Sequence, residues 1–158
     1  MKLSCYKQLG ICVLLSSFFL ACEPKIVDES EPFPVPSTTP VISFRGVNAT
    51  AINEFDELVF EIFYVDGDGN LGSPDADQDV VFVIDERDSI VSGFHVPPLN
   101  PSPGEALAIE GILEVNLQNV ILLNDSSNLE QAVFSVFLMD QDSNRSNVVQ
   151  SPVISISR

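Results

Sequence analysis

Tryptophan is absent from the 158-residue chain, and beyond residue 22 there is no cysteine, one histidine (His95) and one lysine (Lys25). Each absence removes a class of chemistry. Without a thiol, the region after Cys22 has no cysteine nucleophile, no thiolate ligand for zinc and no disulfide. His95 stands beside a proline-rich stretch without an obvious nucleophile, and reads as a solvent-facing or hydrogen-bonded side chain rather than a catalytic one. Basic residues number 7 against 23 acidic ones, for a net charge of −16. That balance excludes the basic footprint nucleic acids require, and adsorption to an anionic lipid surface through charge. The apolar run at 11–20 (ICVLLSSFFL) is too short to cross a bilayer comfortably. The hydrophobic content of 45% is nevertheless high enough for a folded core, which excludes disorder throughout.

The N-terminus is organised for export. Lys2 and Lys7 precede the apolar run, and Ala21-Cys22 closes it, the layout of a secretory signal over 1–21. Phe19-Leu20-Ala21-Cys22 resembles the bacterial lipobox, with Phe19 in place of the usual Leu; the resemblance implies that Cys22 becomes the lipidated first residue and that the partner there is a membrane. Cysteine usage agrees, since Cys5 and Cys12 leave with the signal and an acylated Cys22 leaves no free thiol. The exported chain would keep 5 basic residues against 23 acidic ones. Residues 22–40 hold Pro24, Pro32, Pro34, Pro36 and Pro40, which exclude helix and favour an extended, semi-rigid tether. Its acids Asp28, Glu29 and Glu31 resemble the surface-export signals of Bacteroidota lipoproteins, although Pro24 and Lys25 intervene; a solvated linker is the alternative reading.

Residues 41–158 read as one all-β domain. The key stretch is 58–72, LVFEIFYVDGDGNLG. Leu58, Phe60, Ile62 and Tyr64 share one face of an extended chain, uncharged and therefore inward, and the glycines and Asn70 then curl the backbone into a turn. Further strands are expected at 41–47, 80–85, 89–96, 107–117, 132–139 and 148–156, with Phe134, Val136 and Leu138 inward. Gly111 is expected to be a bulge or weak point, Pro152 places the last strand at an edge, and 48–57 reads as a polar turn. Residues 119–124 fit either a strand extension or a helical turn. About seven short strands without a long helix predict an antiparallel β-sandwich of immunoglobulin-like or fibronectin III-like type, lacking the tryptophan and cystine of antibody domains.

Two acidic loops, 66–79 and 140–147, leave the same end of such a sandwich. Asp66, Asp68, Asn70, Asp77, Asp140 and Asp142 offer hard oxygens of the kind calcium takes, six to eight at a time. Asp66, Asp68 and Asn70 resemble the start of an EF-hand loop, but Leu71 stands where that loop has glycine and Asp77 where it has glutamate, and no helices flank it. The alternative is that Asp, Asn and Gly are simply turn residues. Asp85 and Glu86, as sequence neighbours on a strand, point to opposite faces and do not make a glycosidase pair. Asp88-Ser89-Ile90 resembles the short O-glycosylation acceptor of Bacteroidota envelope proteins, with Ser89 as the acceptor.

The lipobox-like end, the acidic tether and Tyr64 to Gly72 after an early strand resemble small envelope lipoproteins of the Bacteroidota that carry an Ig-like domain with a DGDG stretch. That resemblance implies an envelope location and no established activity, and the first reading is a non-enzymatic outer-membrane lipoprotein, on its periplasmic or its surface-exposed side. The readings it leaves are a scaffold or adhesion module, or a capture module for a glycan or peptide partner, for which Phe63 and Phe94 are the candidate contact aromatics; an envelope hydrolase would need carboxylates converging in a cleft.

Overall fold

The computed structural model describes residues 37–102 and 104–158. The expected signal, Cys22 and the tether up to residue 36 lie outside the described residues.

The strand β3 (Leu58–Asp66) is the spine of one sheet. Its inward row Leu58, Phe60, Ile62 and Tyr64 is buried, the first three completely. β3 pairs antiparallel with β1 (Val41–Val47) on one side and with β6 (Ile109–Leu117) on the other. The second sheet runs in the order β5 (Ile90–Phe94), β4 (Val81–Asp85), β8 (Phe134–Leu138), β9 (Val149–Gln150). Phe60 of the first sheet meets Phe134 of the second with ring centroids 5.6 Å apart, and Phe44 packs edge-on to Phe60 at 6.2 Å. Burying each such ring stabilises the fold by about 1.5–3 kcal/mol. A small third sheet continues the sandwich at one end: β10 (Ile154–Ser157) lies between β7 (Leu129–Ala132) and β2 (Ala51–Asn53), antiparallel to the first and parallel to the second.

These ten strands are the seven expected ones, two of them interrupted, together with the additional β2. β7 and β8 are one long strand broken at Val133, and β9 and β10 are another broken at 151–153. The second break is bridged by Ser151, whose N–H donates to the Phe134 carbonyl (2.8 Å) while its hydroxyl accepts the Phe134 N–H (3.0 Å); Pro152 has no N–H to continue the ladder. The result is an all-β, sandwich-like fold in three mainly antiparallel sheets.

Three local expectations are corrected. Gly111 is no bulge: pairing is continuous through it, opposite Tyr64. A Cβ there would stand 2.8 Å from the Tyr64 hydroxyl, so glycine makes room for the phenol. The bulge lies instead in β1, between Phe44 and Gly46. Residues 51–53, read as turn, form β2; three residues with one large apolar side chain carry no local strand signal, and the pairing partner Ile156 is far away in sequence. Segment 119–124 is neither strand nor helix. It is held by Arg87, which donates to Asp85 (2.6 Å), Glu130 (2.8 Å) and the Ile121 carbonyl (3.1 Å). Glu130 in turn accepts the N–H groups of Leu123 (3.0 Å) and Asn124 (2.7 Å), which hold its carboxyl below the usual range.

One position in this frame is strained. The turn after β2 closes with the Asp56 N–H on the Asn53 carbonyl (3.1 Å), and Phe55 takes its third place with φ of 73°. Glycine or asparagine normally fills that place, and the Phe55 ring is 66% exposed, so little packing offsets the conformation. Phe55→Gly is expected to stabilise the domain by about 1 kcal/mol, read as an increased midpoint in denaturant unfolding with unchanged slope.

Candidate metal centre

The pleat delivers carboxylates to one end of the sandwich. Side chains alternate faces along a strand, so the inward row Leu58, Phe60, Ile62, Tyr64 continues into Asp66. The row Phe134, Val136, Leu138 continues in the same way into Asp140. Asp66 is 0% and Asp140 2% exposed. Asp68, half-buried on the turn after β3, joins them, and the three residues offer ligand atoms within 4.8 Å of one another.

The two loops are locked together around this point. The Gln141 N–H donates to the Asn70 carbonyl (3.4 Å), and its side-chain amide donates to the Gly72 carbonyl (2.8 Å). The loop after β3 can curl this tightly because Gly69 adopts φ of 70°, where an added Cβ would collide with the Leu107 carbonyl. The Gly67 N–H donates to the Ser37 carbonyl (2.9 Å), which ties the loop to the start of the domain.

Hydrogen bonding leaves a specific set of oxygens over. One Asp66 oxygen, Oδ2, accepts the Leu71 N–H (3.0 Å). Asp140 accepts the backbone N–H of Asn144 (2.8 Å) on Oδ1 and its side-chain amide (2.9 Å) on Oδ2. The Asn70 amide donates to Asp68 Oδ2 (3.3 Å) and Asp142 Oδ2 (2.9 Å). Asp66 Oδ1, Asp68 Oδ1 and Asn70 Oδ1 remain buried with no hydrogen-bond partner among the described residues. Buried polar atoms are almost always paired, because leaving one unpaired costs about 1–3 kcal/mol. The carboxyl of Asp66 is pushed up to about 6, first by burial and then by the neighbouring Asp68 charge, with Asp140 adding to it and the Leu71 N–H opposing. Tyr64, the next residue of the inward row, is raised by its burial and by Asp66.

The residues fit a hard cation. Three carboxylates and one amide carbonyl supply four oxygen-bearing groups, and carboxylates that bind through both oxygens, with water, reach the six to eight ligands calcium takes. A divalent charge would offset the repulsion among Asp66, Asp68 and Asp140 and give the unpartnered oxygens a partner. Among the described residues no histidine or thiolate joins the cluster, so the donor set favours calcium or magnesium over zinc.

Of the six sequence candidates, Asp66, Asp68, Asn70 and Asp140 are thus brought together. Asp142 is exposed and acts on the Asn70 amide. Asp77 lies apart in an exposed turn, where its N–H donates to Asp75 Oδ1 (3.0 Å). Asn144 and Gln141, which hold Asp140 and the facing loop, carried no sequence signal beyond being turn residues. Ser89 sits exposed in the turn between β4 and β5, and its N–H donates to the Asp85 carbonyl (2.7 Å). Phe63 is half-buried beneath the Arg45 guanidinium, 4.7 Å from its centroid, and Phe94 packs against the core. His95 is exposed, with Nδ1 3.2 Å from the Gln78 carbonyl. Comparison with protein-family models, with curated proteins and with solved structures finds no match.

The raised Asp66 carboxyl has a signed consequence. Without metal its contribution to stability is complete below the unfolded carboxyl pKa near 4 and is lost as pH rises through about 6. In chelator, the unfolding temperature is therefore expected to rise between pH 7 and pH 5, by about 5 °C. Asp66→Asn is expected to remove that rise and to increase metal-free stability at pH 7, because its amide can donate to the neighbouring oxygens. Thermal unfolding of both chains across this range checks the outcome; a wild-type profile that Asp66→Asn leaves unaltered would contradict it.

Proposed function

We propose that this chain is a non-enzymatic, lipid-anchored outer-membrane protein that presents an Ig-like binding or scaffold module with a calcium-stiffened end. The observation that carries the metal part is the fully buried Asp66 carboxylate, whose unpartnered Oδ1 stands among Asp68, Asn70 and Asp140. The envelope part rests on the leader, the Ala21-Cys22 junction and the proline-rich stretch that follows.

Calcium in this reading is structural. It would bind the loop after β3 to the loop after β8, and so join one sheet to the other at the end where Ser37 enters the domain. A stiff end at that position suits a module displayed on a tether, because it holds the sandwich closed where the tether attaches. An exported domain without a disulfide gains from such a tie. The Bacteroidota-type lipoprotein reading sets the location as the outer membrane, with Cys22 as the anchor.

Thermal unfolding of the full chain with calcium, with magnesium and with chelator tests the metal. Calcium at a hundredfold excess over its Kd is expected to add about 2.7 kcal/mol, with a smaller effect of magnesium and none in Asp66→Ala/Asp68→Ala. An unchanged unfolding temperature at millimolar calcium would refute it. The anchor is tested separately: the chain made in a lipoprotein-processing host is expected to incorporate labelled fatty acid and to fractionate with membranes, and Cys22→Ser is expected to abolish both. Label retained by Cys22→Ser would overturn the anchor.

A further inference from the structure

We infer that the open side of the sandwich, between the edges of β5 and β6, is a docking groove for an extended, cationic segment of a partner protein, which adds to β5 as a further strand. Among the described residues β5 pairs only with β4, and β6 only with β3, so both strands expose unpaired backbone groups there. Such an edge is a template for another strand, and sequences that avoid pairing protect it with charge or proline. β5 has neither: it reads Ile-Val-Ser-Gly-Phe, with Ile90 61% and Val91 53% exposed.

The space beside the edge is shaped for side chains. An open trough runs between Ser92, Gly93 and Phe94 of β5 and Asn116, Leu117 and Gln118. Toward the turn at 86–89 a second hollow, a cavity of about 190 Å³, has Ile90, Leu117, Val120, Ile121, Leu123 and Phe134 in its walls. This is below the ~300–1,000 Å³ of small-molecule pockets and suits one apolar side chain of an added strand. The Arg87–Glu130 clamp keeps the 119–124 wall in place, so the hollow is pre-formed.

Charge selects the occupant. Residues 37–158 contain no lysine and four arginines against nineteen carboxylates. Every one of the four arginines is engaged: Arg45 on Phe63, Arg87 with Asp85 and Glu130, Arg145 on Phe137, Arg158 with Glu54. The β5 edge is bracketed by carboxylates, with Asp79 over Gly93 and Asp88 accepting the Ile90 N–H (2.9 Å). A second copy of this acidic chain would meet like charge, and so would its own acidic stretch at 28–31. A partner strand with an apolar centre and lysine or arginine at its ends satisfies the backbone edge, the cavity and the two carboxylates together.

The test uses the full chain and two capped synthetic peptides of alternating valine and threonine, one ended by lysines and one by glutamates. The lysine-ended peptide is expected to bind and to shift backbone amide resonances of β5 and 117–123. The glutamate-ended peptide is expected to bind at least about tenfold more weakly. Ile90→Lys, at an exposed position, is expected to weaken binding about tenfold, while Ile112→Lys on the outer face of β6 leaves it unchanged; Val91→Lys replaces Ile90→Lys if the latter fails to fold. No binding at millimolar peptide, equal binding of both peptides, equal weakening by the two lysine variants, or shifts away from β5 would each overturn the inference. So would a concentration-dependent dimer of the chain that Ile90→Lys dissolves, which would make the occupant a second copy.

Discussion

A single constraint, the alternation of side chains along a strand, builds both the core and the candidate site. The rows that fill the sandwich with Leu58, Phe60, Ile62 and Tyr64 on one sheet, and Phe134, Val136 and Leu138 on the other, run on without a break into Asp66 and Asp140. Two apolar rows end in two buried carboxylates at the same end of the molecule. Hydrophobic burial, which is not directional, thus positions groups whose burial is costly. The cost appears in the raised carboxyl of Asp66 and in the oxygens that no protein donor reaches.

The two ends of the sandwich answer their polar groups differently. At one end Arg87 satisfies Asp85 and Glu130, and the carboxylate of Glu130 satisfies backbone N–H groups of the adjoining segment; donors and acceptors balance within the protein. At the other, Asp66, Asp68 and Asp140 converge with no basic side chain among the described residues there. That contrast is the physical basis for proposing a cation at one cluster and a purely structural role for the other. It also makes the domain an acidic surface with its few cations used internally, which bears on what could approach the open edge at β5.

How far the sequence could be read depended on the range of the interactions. Period-two patterning located β3 and β8 with their inward faces, because both carry apolar side chains on alternate residues, and apolar content placed β4 and β6 as strands. It missed β2 and divided the last two strands less finely than they are, since those features depend on distant pairing: Ile52 with Ile156, and Ser151 with Phe134. Gly111 shows the same limit. A glycine within a strand has several local meanings, and only the register opposite Tyr64 decides that it makes space rather than a bulge.

For the candidate site, composition and spacing pointed to the two acidic loops and to oxygen chemistry, and the parity of Asp66 with the row before it was already present in the chain. The class of fold, the excess of acid over base and the residue types available for a site follow from local spacing and counting along the chain. Which carboxylates meet, that Asp77 stays apart, that Asp142 and Asn144 serve as orienting partners, and that β5 is an edge strand among the described residues are outcomes of the folded arrangement. Those outcomes rest on packing one sheet against the other, which brings residues dozens of positions apart within a few ångströms of each other and has no counterpart in the order of the chain.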